Sequence, residues 1–127
     1  MSRPDKKTNQ HLVDLIGDLK AQSRDTGAAV WRDVALRLSK SRKNWAQPNL
    51  SRLTRHAPEG GIVLVPGKLL GSGEVHASHK VAAYSFSASA KDKIVAAEGE
   101  TLSLHELMKD NPSGKEVFIL GWYHICL

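Results

Sequence analysis

The chain carries a run of cations that no carboxylate balances. Six Lys or Arg residues and no Asp or Glu lie between Asp33 and Glu59. Over residues 1–56, twelve bases face five acids, so this part has a net charge of +7 in a chain whose total is +5. Such a stretch repels itself unless a polyanion neutralises it, and Arg and Lys bind phosphate oxygens well. The pattern predicts a nucleic-acid partner; the alternative is a solvated basic face with no partner.

A loop rich in glycine invites comparison with nucleotide-binding motifs and departs from them. Leu69 follows Gly67-Lys68, where a phosphate loop needs Ser or Thr, and five residues instead of four separate Gly61 from Gly67. In the stretch that starts with Gly71-Ser72-Gly73, the sixth position is His76 and not Gly. The sequence therefore predicts no catalytic residues, no cofactor and no small-molecule substrate, although a small enzyme using this loop remains a third hypothesis.

The same glycines have two other interpretations. Because Gly71 and Gly73 lack side chains, a phosphate backbone could approach their N–H groups closely, and Lys68 would add charge. Alternatively, the glycines serve turn geometry alone.

Four side chains could in principle bind a metal, and their spacing argues against it. His76 and His79 are separated by two residues, and His124 and Cys126 by one, which is not the spacing of a common zinc site. We expect His76 and His79 to be surface loop residues and His124 to lie in a tail, so we predict no metal. Cys126 is the chain's single cysteine and cannot form an intramolecular disulfide, which suits a reducing compartment.

Size and composition favour one globular domain. The 127 residues are 41% hydrophobic, enough for a core, and aromatic residues are scarce at 6%, so Leu, Val, Ile and Ala must dominate it. The first seven residues are polar and basic with no apolar stretch behind them, unlike a secretory signal. The longest dense apolar run, Ile62 to Val65, is far too short to span a bilayer. We expect a soluble cytoplasmic protein with no membrane partner.

Two amphipathic helices are predicted in the basic part. Thr8 or Asn9 can cap the first helix, and Gly27 ends the segment. The apolar positions repeat with helical spacing in both: Leu12, Leu15, Ile16 and Leu19 in the first, and Val30, Trp31, Val34, Ala35 and Leu38 in the second.

Residues 39–48 lose this periodicity and form a basic loop. Trp45 in this loop could stack on an unpaired base, or it could fill an apolar space under the loop. Leu50 and Leu53, with Arg52 and Arg55 between and after them, fit a short strand or a helical turn, and the pattern does not decide between these.

The second half has the pattern of strands alternating with helices. Ile62 to Val65 reads as a strand buried on both faces and ended by Pro66-Gly67. Val81 to Phe86 predicts the next strand, and Val117 to Leu120 predicts the last. This rhythm indicates an α/β fold.

Helix-capping residues separate these strands. Ser87 can cap a helix that runs through Ala97, with Gly99 as its left-handed terminator. Glu100 to Leu102 is short and extended. Ser103 and Glu106 match a capping box.

A helix-turn-helix regulator of DNA is the alternative function. The two helices around Gly27 loosely imitate that motif, and Arg32 and Arg37 lie on the second helix. The connection between the two helices, taken as residues 21–28, is long for this motif, whose turn has about three or four residues.

Several stretches resemble the large-subunit ribosomal protein eighteen-e family of archaea and eukaryotes. The principal one is the signature Val65-Pro-Gly-Lys-Leu-Leu-Gly-Ser-Gly-Glu74. The similarity runs from about residue 6 to about residue 121, with the blocks in the same order, and the short length is more like archaeal members. The other matching blocks are Lys7-Thr-Asn9 with Leu12, Asn49-Leu-Ser-Arg-Leu53, Val81-Ala-Ala-Tyr-Ser-Phe-Ser87 and residues 103–121.

The resemblance implies a structural protein of the large ribosomal subunit that binds large-subunit ribosomal RNA and meets neighbouring ribosomal proteins. It also implies kinship with bacterial large-subunit ribosomal protein fifteen, and an irregular β-β-α layered single domain with an N-terminal helical region. Residues 1–7 would be a basic tail ordered by RNA, residues 8–121 the domain (8–56 basic and helical, 57–121 α/β), and residues 122–127 a C-terminal extension. The RNA-binding residues expected from the charge pattern and the resemblance together are Arg3, Lys6, Lys7, Arg37, Lys40, Arg42, Lys43, Asn49, Arg52, Arg55, Lys68, Gly71, Ser72 and Gly73.

Overall fold

The structure, a computed structural model, describes residues 6–40, 45, 47–57 and 61–120. This part of the chain forms five helices and four strands. In chain order they are α1 (Lys6–Thr26), α2 (Ala29–Leu38), α3 (Leu50–His56), β1 (Ile62–Leu69), β2 (Lys80–Phe86), α4 (Ala88–Ala96), β3 (Glu100–Leu102), α5 (Leu104–Asp110) and β4 (Val117–Ile119). The α/β class expected from the sequence is confirmed.

The four strands make one parallel sheet in the order β3-β2-β1-β4. Ile62 of β1 aligns with Lys80 of β2 on one side and with Val117 of β4 on the other. The two longest strands are therefore central and the two three-residue strands lie at the edges, which limits the unpaired backbone that the edges expose.

Alternate residues of the central strands enter two separate cores. Leu64 and Ala82 point to the face covered by α1, α2 and α5. Val63 and Val81 point to the opposite face, covered by α3 and α4. Parallel strands covered on both faces read as continuous apolar runs, and the predicted burial of β1 on both faces is confirmed.

The helical hairpin forms as its apolar spacing predicts. All five apolar positions of α2 are buried, and Leu15 and Leu19 of α1 are buried against them. Gly27 adopts a φ of 75°, a left-handed conformation that turns the chain between the helices. The N-terminal boundary was wrong: α1 begins at Lys6, so Thr8 and Asn9 lie inside the helix and do not cap it.

Polar contacts join this hairpin to the last part of the α/β unit. Trp31 donates from Nε1 to the carbonyl oxygen of Pro112 at 2.8 Å, and Gln22 donates from Nε2 to the same oxygen at 3.2 Å. Trp31 is completely buried, so its indole N–H requires such a partner.

The prediction that Pro66-Gly67 ends the first strand was wrong. β1 continues to Leu69, and its register against β2 shifts between Val65 and Lys68. Proline has no N–H to give to the ladder, so it is tolerated at such an irregularity. The strand therefore continues through Pro66-Gly67, and the glycine loop begins after Leu69.

The assignment of Gly99 as a left-handed terminator was also wrong. Glu98 adopts the positive φ, 64°, one residue earlier. A Cβ atom on Gly99 would lie 2.6 Å from the carbonyl oxygen of His79. Glycine is needed there because another backbone segment approaches closely.

Two other local features are settled by the structure. The segment after Asn49, left open between strand and helical turn, is a helix whose Leu50 and Leu53 are buried. The predicted capping box is confirmed: Ser103 Oγ accepts from the Glu106 N–H at 3.1 Å, and Glu106 Oε1 accepts from the Ser103 N–H at 2.8 Å. Across the described residues, no helix combines the length and apolar character needed to cross a bilayer.

Candidate nucleic-acid interface

The predicted basic loop and the glycine loop meet at one edge of the sheet. Because all four strands are parallel, their carboxyl ends share this edge, which we call the carboxyl edge. The Leu70 N–H donates to the Pro48 carbonyl at 2.8 Å, and the Leu50 N–H donates to the Leu70 carbonyl at 3.0 Å. A short parallel bridge between Asn49 and Leu70 thus joins the end of the basic loop to the residue that follows β1.

The glycine loop is held from one side by α3. The Ser51 N–H donates to the Ser72 carbonyl at 3.0 Å, and the Thr54 hydroxyl donates to the Glu74 carbonyl. Gly73 has a φ of 108°, and a Cβ atom there would lie 2.6 Å from the Ser51 nitrogen. This glycine is required both by its backbone conformation and by the close approach of α3.

The loop is held from the other side by α4. Lys93 donates from Nζ to the carbonyl oxygens of Gly71 and Gly73 at 2.8 and 2.7 Å. A Cβ atom on Gly71 would overlap the Ser89 side chain and come within 2.8 Å of the Ala90 nitrogen. Contacts within the protein therefore explain why glycine is needed at both positions, and no phosphate contact has to be assumed for either.

Trp45 fills an apolar space beneath the basic loop. Its side chain is buried, its Nε1 donates to the Lys40 carbonyl at 3.0 Å, and its ring meets Tyr84 of β2 edge-on, with centroids 5.1 Å apart and planes at 76°. This arrangement selects the apolar-filler interpretation over base stacking by Trp45 itself. The indole instead fixes the loop against the sheet.

Some predicted RNA-binding cations are exposed and available for phosphate. Within the described part of the chain, Lys40, Arg55 and Lys68 are exposed and form no ion pair. Arg37 differs, because its Nε donates to the Asp33 carboxylate at 3.1 Å one turn earlier in α2. Arg52 is half-buried on α3.

The remaining predicted residues fall into three groups. Asn49 precedes α3 and is half-buried, and Ser72 is exposed at the tip of the glycine loop. Lys6 and Lys7 are the first two residues of α1, so these members of the predicted 1–7 tail are helical. Residues outside the described part are Arg3, Arg42, Lys43 and the extension 122–127.

The beginning of α1 lies at the carboxyl edge as well. His11 lines the same surface recess as Tyr84 near the end of β2 and Ser103 at the start of α5. Since His11 is little more than one turn from Lys6, the helix starts on the side of the molecule that carries the basic loop.

Charges at the opposite, amino edge are paired. Lys80 at the start of β2 donates to Asp110 at 2.8 Å and lies 3.9 Å from Glu100. The hydrogen bond from its ammonium to Asp110 raises the pKa of Lys80 above the ordinary value of 10.5. Lys80 at the amino edge thus meets carboxylates, whereas Lys40 and Lys68 at the carboxyl edge have none among the described residues.

The connection between α1 and α2 is shorter than the sequence indicated when it was compared with a helix-turn-helix motif. Only Gly27 and Ala28 separate α1 from α2, so the join is short and not the long one assumed from residues 21–28. The second helix packs its apolar face against α1 and the sheet, and this burial leaves only the outer face of α2 exposed.

The expected surface position of His79 was also wrong. His79 is buried at 4% exposure, whereas His76 is exposed and lies 3.9 Å from the Glu74 carboxylate. Among the described residues, no three His, Cys, Asp or Glu side chains are grouped to hold a metal; His124 and Cys126 lie outside that part.

Sequence reasoning missed Lys93 and Tyr84. Lys93 was not singled out, because its partners are backbone carbonyl oxygens, and the residue types of the sequence do not reveal such partners. Tyr84 lay inside a predicted strand and its half-burial next to Trp45 depends on the fold. The Val81–Ser87 block, one of those that resemble the family, was the one available signal for Tyr84.

Comparison with known proteins gives consistent results. The family model described as "Ribosomal protein 60S L18 and 50S L18e" matches residues 1–122. A protein of Methanospirillum hungatei named "Large ribosomal subunit protein eL18" is 47% identical over 120 residues, which cover 94% of this chain and 99% of that protein. Proteins with the same name from Halobacterium salinarum and Haloarcula marismortui are 48% and 46% identical, each over 90% of this chain and 97% of the relative.

Proposed function

Because the chain belongs to the family of ribosomal proteins 60S L18 and 50S L18e, we propose that it is a structural constituent of the large ribosomal subunit. In this role it binds large-subunit ribosomal RNA and acts in the cytoplasm. It performs no catalysis: its contribution is to neutralise phosphates and to hold an RNA conformation.

The observation that supports this function best is that two exposed cations at the carboxyl edge lack a carboxylate partner in the part of the chain that the structure describes. At the carboxyl edge, Lys40 and Lys68 have no carboxylate partner among the described residues, and Arg55 is exposed at the end of α3. At the amino edge, Lys80 is already neutralised by Asp110. A polyanion is therefore attracted to the carboxyl edge, and the long-range field favours this orientation.

The proposed binding residues follow from the charge pattern, and the geometry supports some of them. Lys40 and Lys68 contact phosphates from the carboxyl edge, Arg52 and Arg55 contact them from α3, and Ser72 offers a hydroxyl at the tip of the glycine loop. Arg37 contributes less, because its guanidinium is already paired with Asp33. The charge pattern and the family resemblance add Arg3, Lys6, Lys7, Arg42 and Lys43 to the proposed phosphate contacts, and Asn49, Gly71 and Gly73 shape the loop.

The glycine loop serves as a rigid support for this surface. It is bonded to α3 through Ser51 and to α4 through Lys93. A support that is already ordered loses little conformational entropy when it binds, which favours affinity. Single-stranded or junction RNA is the preferred target, because side chains cannot read the deep groove of a regular RNA duplex.

Co-sedimentation tests the function. The protein is expected to sediment with large ribosomal subunits at low salt and to leave them at high salt. Filter binding to large-subunit ribosomal RNA should give a plot of log K against log salt concentration with a slope of about −4 to −5 if about six phosphates are contacted. A flat plot, or tighter binding to duplex DNA than to ribosomal RNA in a gel shift, would reject the proposal.

A further inference from the structure

A recess beside Tyr84 at the carboxyl edge has no part in the phosphate surface described above. It consists of two adjoining hollows of about 230 and 220 Å³, and both are lined by Ala83, Tyr84 and Ser103. The Tyr84 side chain therefore contributes to the wall of both. We call this pair of hollows the Tyr84 recess.

The wall made by Tyr84 is rigid. The edge-on contact with Trp45 fixes the orientation of the phenol ring, and Trp45 is itself buried and bonded to the Lys40 carbonyl. Phe86, half-buried two residues later in β2, lines the second hollow. An aromatic surface that is held in place before binding is a good stacking platform.

Apolar side chains such as Leu15 and Leu102 share the lining with polar groups, and one of these, His105, is already paired with Asp18 at 2.9 Å. His11 and His105 line the first hollow, and Lys91 and Glu106 line the second. Ser103 and Glu106 bond each other's backbone N–H groups in the capping box, which keeps this rim fixed. A flat aromatic ligand with hydrogen-bonding edges suits such a lining.

The volume limits the size of the ligand. Pockets for drug-sized molecules measure roughly 300–1,000 Å³, and each hollow is smaller than that. One ring system fits a hollow better than an extended cofactor does.

We infer that the Tyr84 recess receives an unpaired nucleobase of the bound RNA, which stacks on Tyr84 while the adjacent cations hold its phosphates. Sequence-specific RNA recognition commonly uses unstacked bases placed on aromatic side chains. The location supports this ligand, because the loop that carries Trp45 also carries Lys40 at its start. This inference rests on the proposed function, since the base must belong to an RNA that the protein already binds.

The test uses the full-length protein and two labelled probes in a fluorescence-anisotropy titration. One probe is single-stranded octa-adenylate, and the other is an octamer with the same backbone and no bases. We expect the wild-type protein to bind octa-adenylate roughly 5- to 150-fold more tightly than the abasic octamer. Tyr84→Phe should keep this preference, and Tyr84→Leu should lose most of it.

Salt dependence separates this inference from the proposed function. Tyr84→Leu should weaken binding without changing the slope against salt, because the number of neutralised phosphates is the same. Equal affinity of the wild-type protein for both octamers would overturn the inference that the Tyr84 recess receives a base, and it would leave the RNA-binding function intact. Failure to bind either probe or ribosomal RNA would overturn the proposed function itself.

A second measurement does not depend on the variants folding. Octa-4-thiouridylate irradiated with the wild-type protein is expected to cross-link to the peptides that contain Tyr84–Phe86 or Thr101–Ser103, which line the recess. In purified large subunits, cross-linking of Tyr84 to a neighbouring protein and not to RNA would overturn the inference in favour of a protein side chain in the recess.

Discussion

The Ser51 N–H donates to the Ser72 carbonyl at 3.0 Å, so the first turn of α3 is bonded directly to the tip of the glycine loop. A Cβ atom on Gly73 would lie 2.6 Å from the same nitrogen, so only a residue without a side chain leaves room for this bond. Helix, loop and strand end thus form one unit at the carboxyl edge, and its stability should depend on this glycine.

Gly73→Ala should destabilise the fold. The left-handed backbone alone costs roughly 1–3 kcal/mol for a residue with a side chain, and displacement of Ser51 adds to this. Gly17→Ala is the matched control, because a Cβ atom there meets nothing within 4 Å and the residue lies inside α1. That control should raise the free energy of unfolding by roughly 0.5–1 kcal/mol. Urea unfolding measures both, and equal effects would contradict the close approach at Gly73.

Lys93→Met should loosen the glycine loop while leaving the core intact. Removal of the ammonium leaves the carbonyl oxygens of Gly71 and Gly73 without this donor. Hydrogen exchange of residues 71–74 is expected to speed up, whereas Lys91→Met, two residues away on the exposed side of α4, should leave it unchanged. Similar exchange in the two variants would show that Lys93 does not hold the loop.

Trp45→Ala should lower the free energy of unfolding by roughly 3–5 kcal/mol, since it removes a buried indole and its contact with Tyr84. Trp45→Phe should lose less, because an aromatic ring remains. Thermal unfolding followed by circular dichroism measures both. If Trp45 instead served only to stack on RNA, the alanine variant would unfold like the wild type and lose affinity alone.

Neutralising a proposed phosphate-binding cation should reduce the salt dependence of RNA binding. Each of Lys40→Gln, Arg55→Gln and Lys68→Gln is expected to lower the magnitude of the slope by about 1. Lys109→Gln, on α5 next to the amino edge, is the control and should leave the slope unchanged. Filter binding at several salt concentrations measures all four, and equal slopes would place the RNA on another surface.

Lys80 should make stability sensitive to alkaline pH. Its pKa is raised in the folded state by Asp110, so the folded protein holds this proton more tightly than the unfolded chain does. The stabilisation is complete below pH 10.5 and is lost as the pH rises through the raised pKa. Urea unfolding of the wild type and Lys80→Met between pH 8 and 11.5 should show a difference that shrinks above about pH 10.5. A constant difference would contradict the assignment.

Sequence patterns predicted the elements well wherever burial follows a simple period. The five apolar positions of α2 are the five that are buried, and the capping box at Ser103 and Glu106 forms as its spacing requires. These features depend on contacts within one element. Errors occurred where a distant backbone segment decides the outcome: Gly99 is needed because of His79, and β1 passes Pro66-Gly67 because β2 continues beside it.

The site was predictable in part. The charge pattern identified Lys40 and Arg55 as candidates for phosphate contact, and the glycine loop and the family resemblance added Lys68. It could not show that Arg37 is paired with Asp33, because an acid one turn away on a helix can face its neighbour or solvent. Nor could the charge pattern predict that the end of the basic loop lies beside the glycine loop, since this depends on the Asn49–Leu70 bridge.

The position of β4 beside β1 has a consequence for how the chain acquires its shape during synthesis. Val117 to Ile119 is the last strand in the part that the structure describes, yet its partner is the first strand, from Ile62 to Leu64. The sheet is complete only after residues 117–119 have been synthesised, and pairings so distant in sequence form slowly. Until then one edge of β1, an apolar strand, has no strand partner, and unpaired strand edges of this kind favour aggregation.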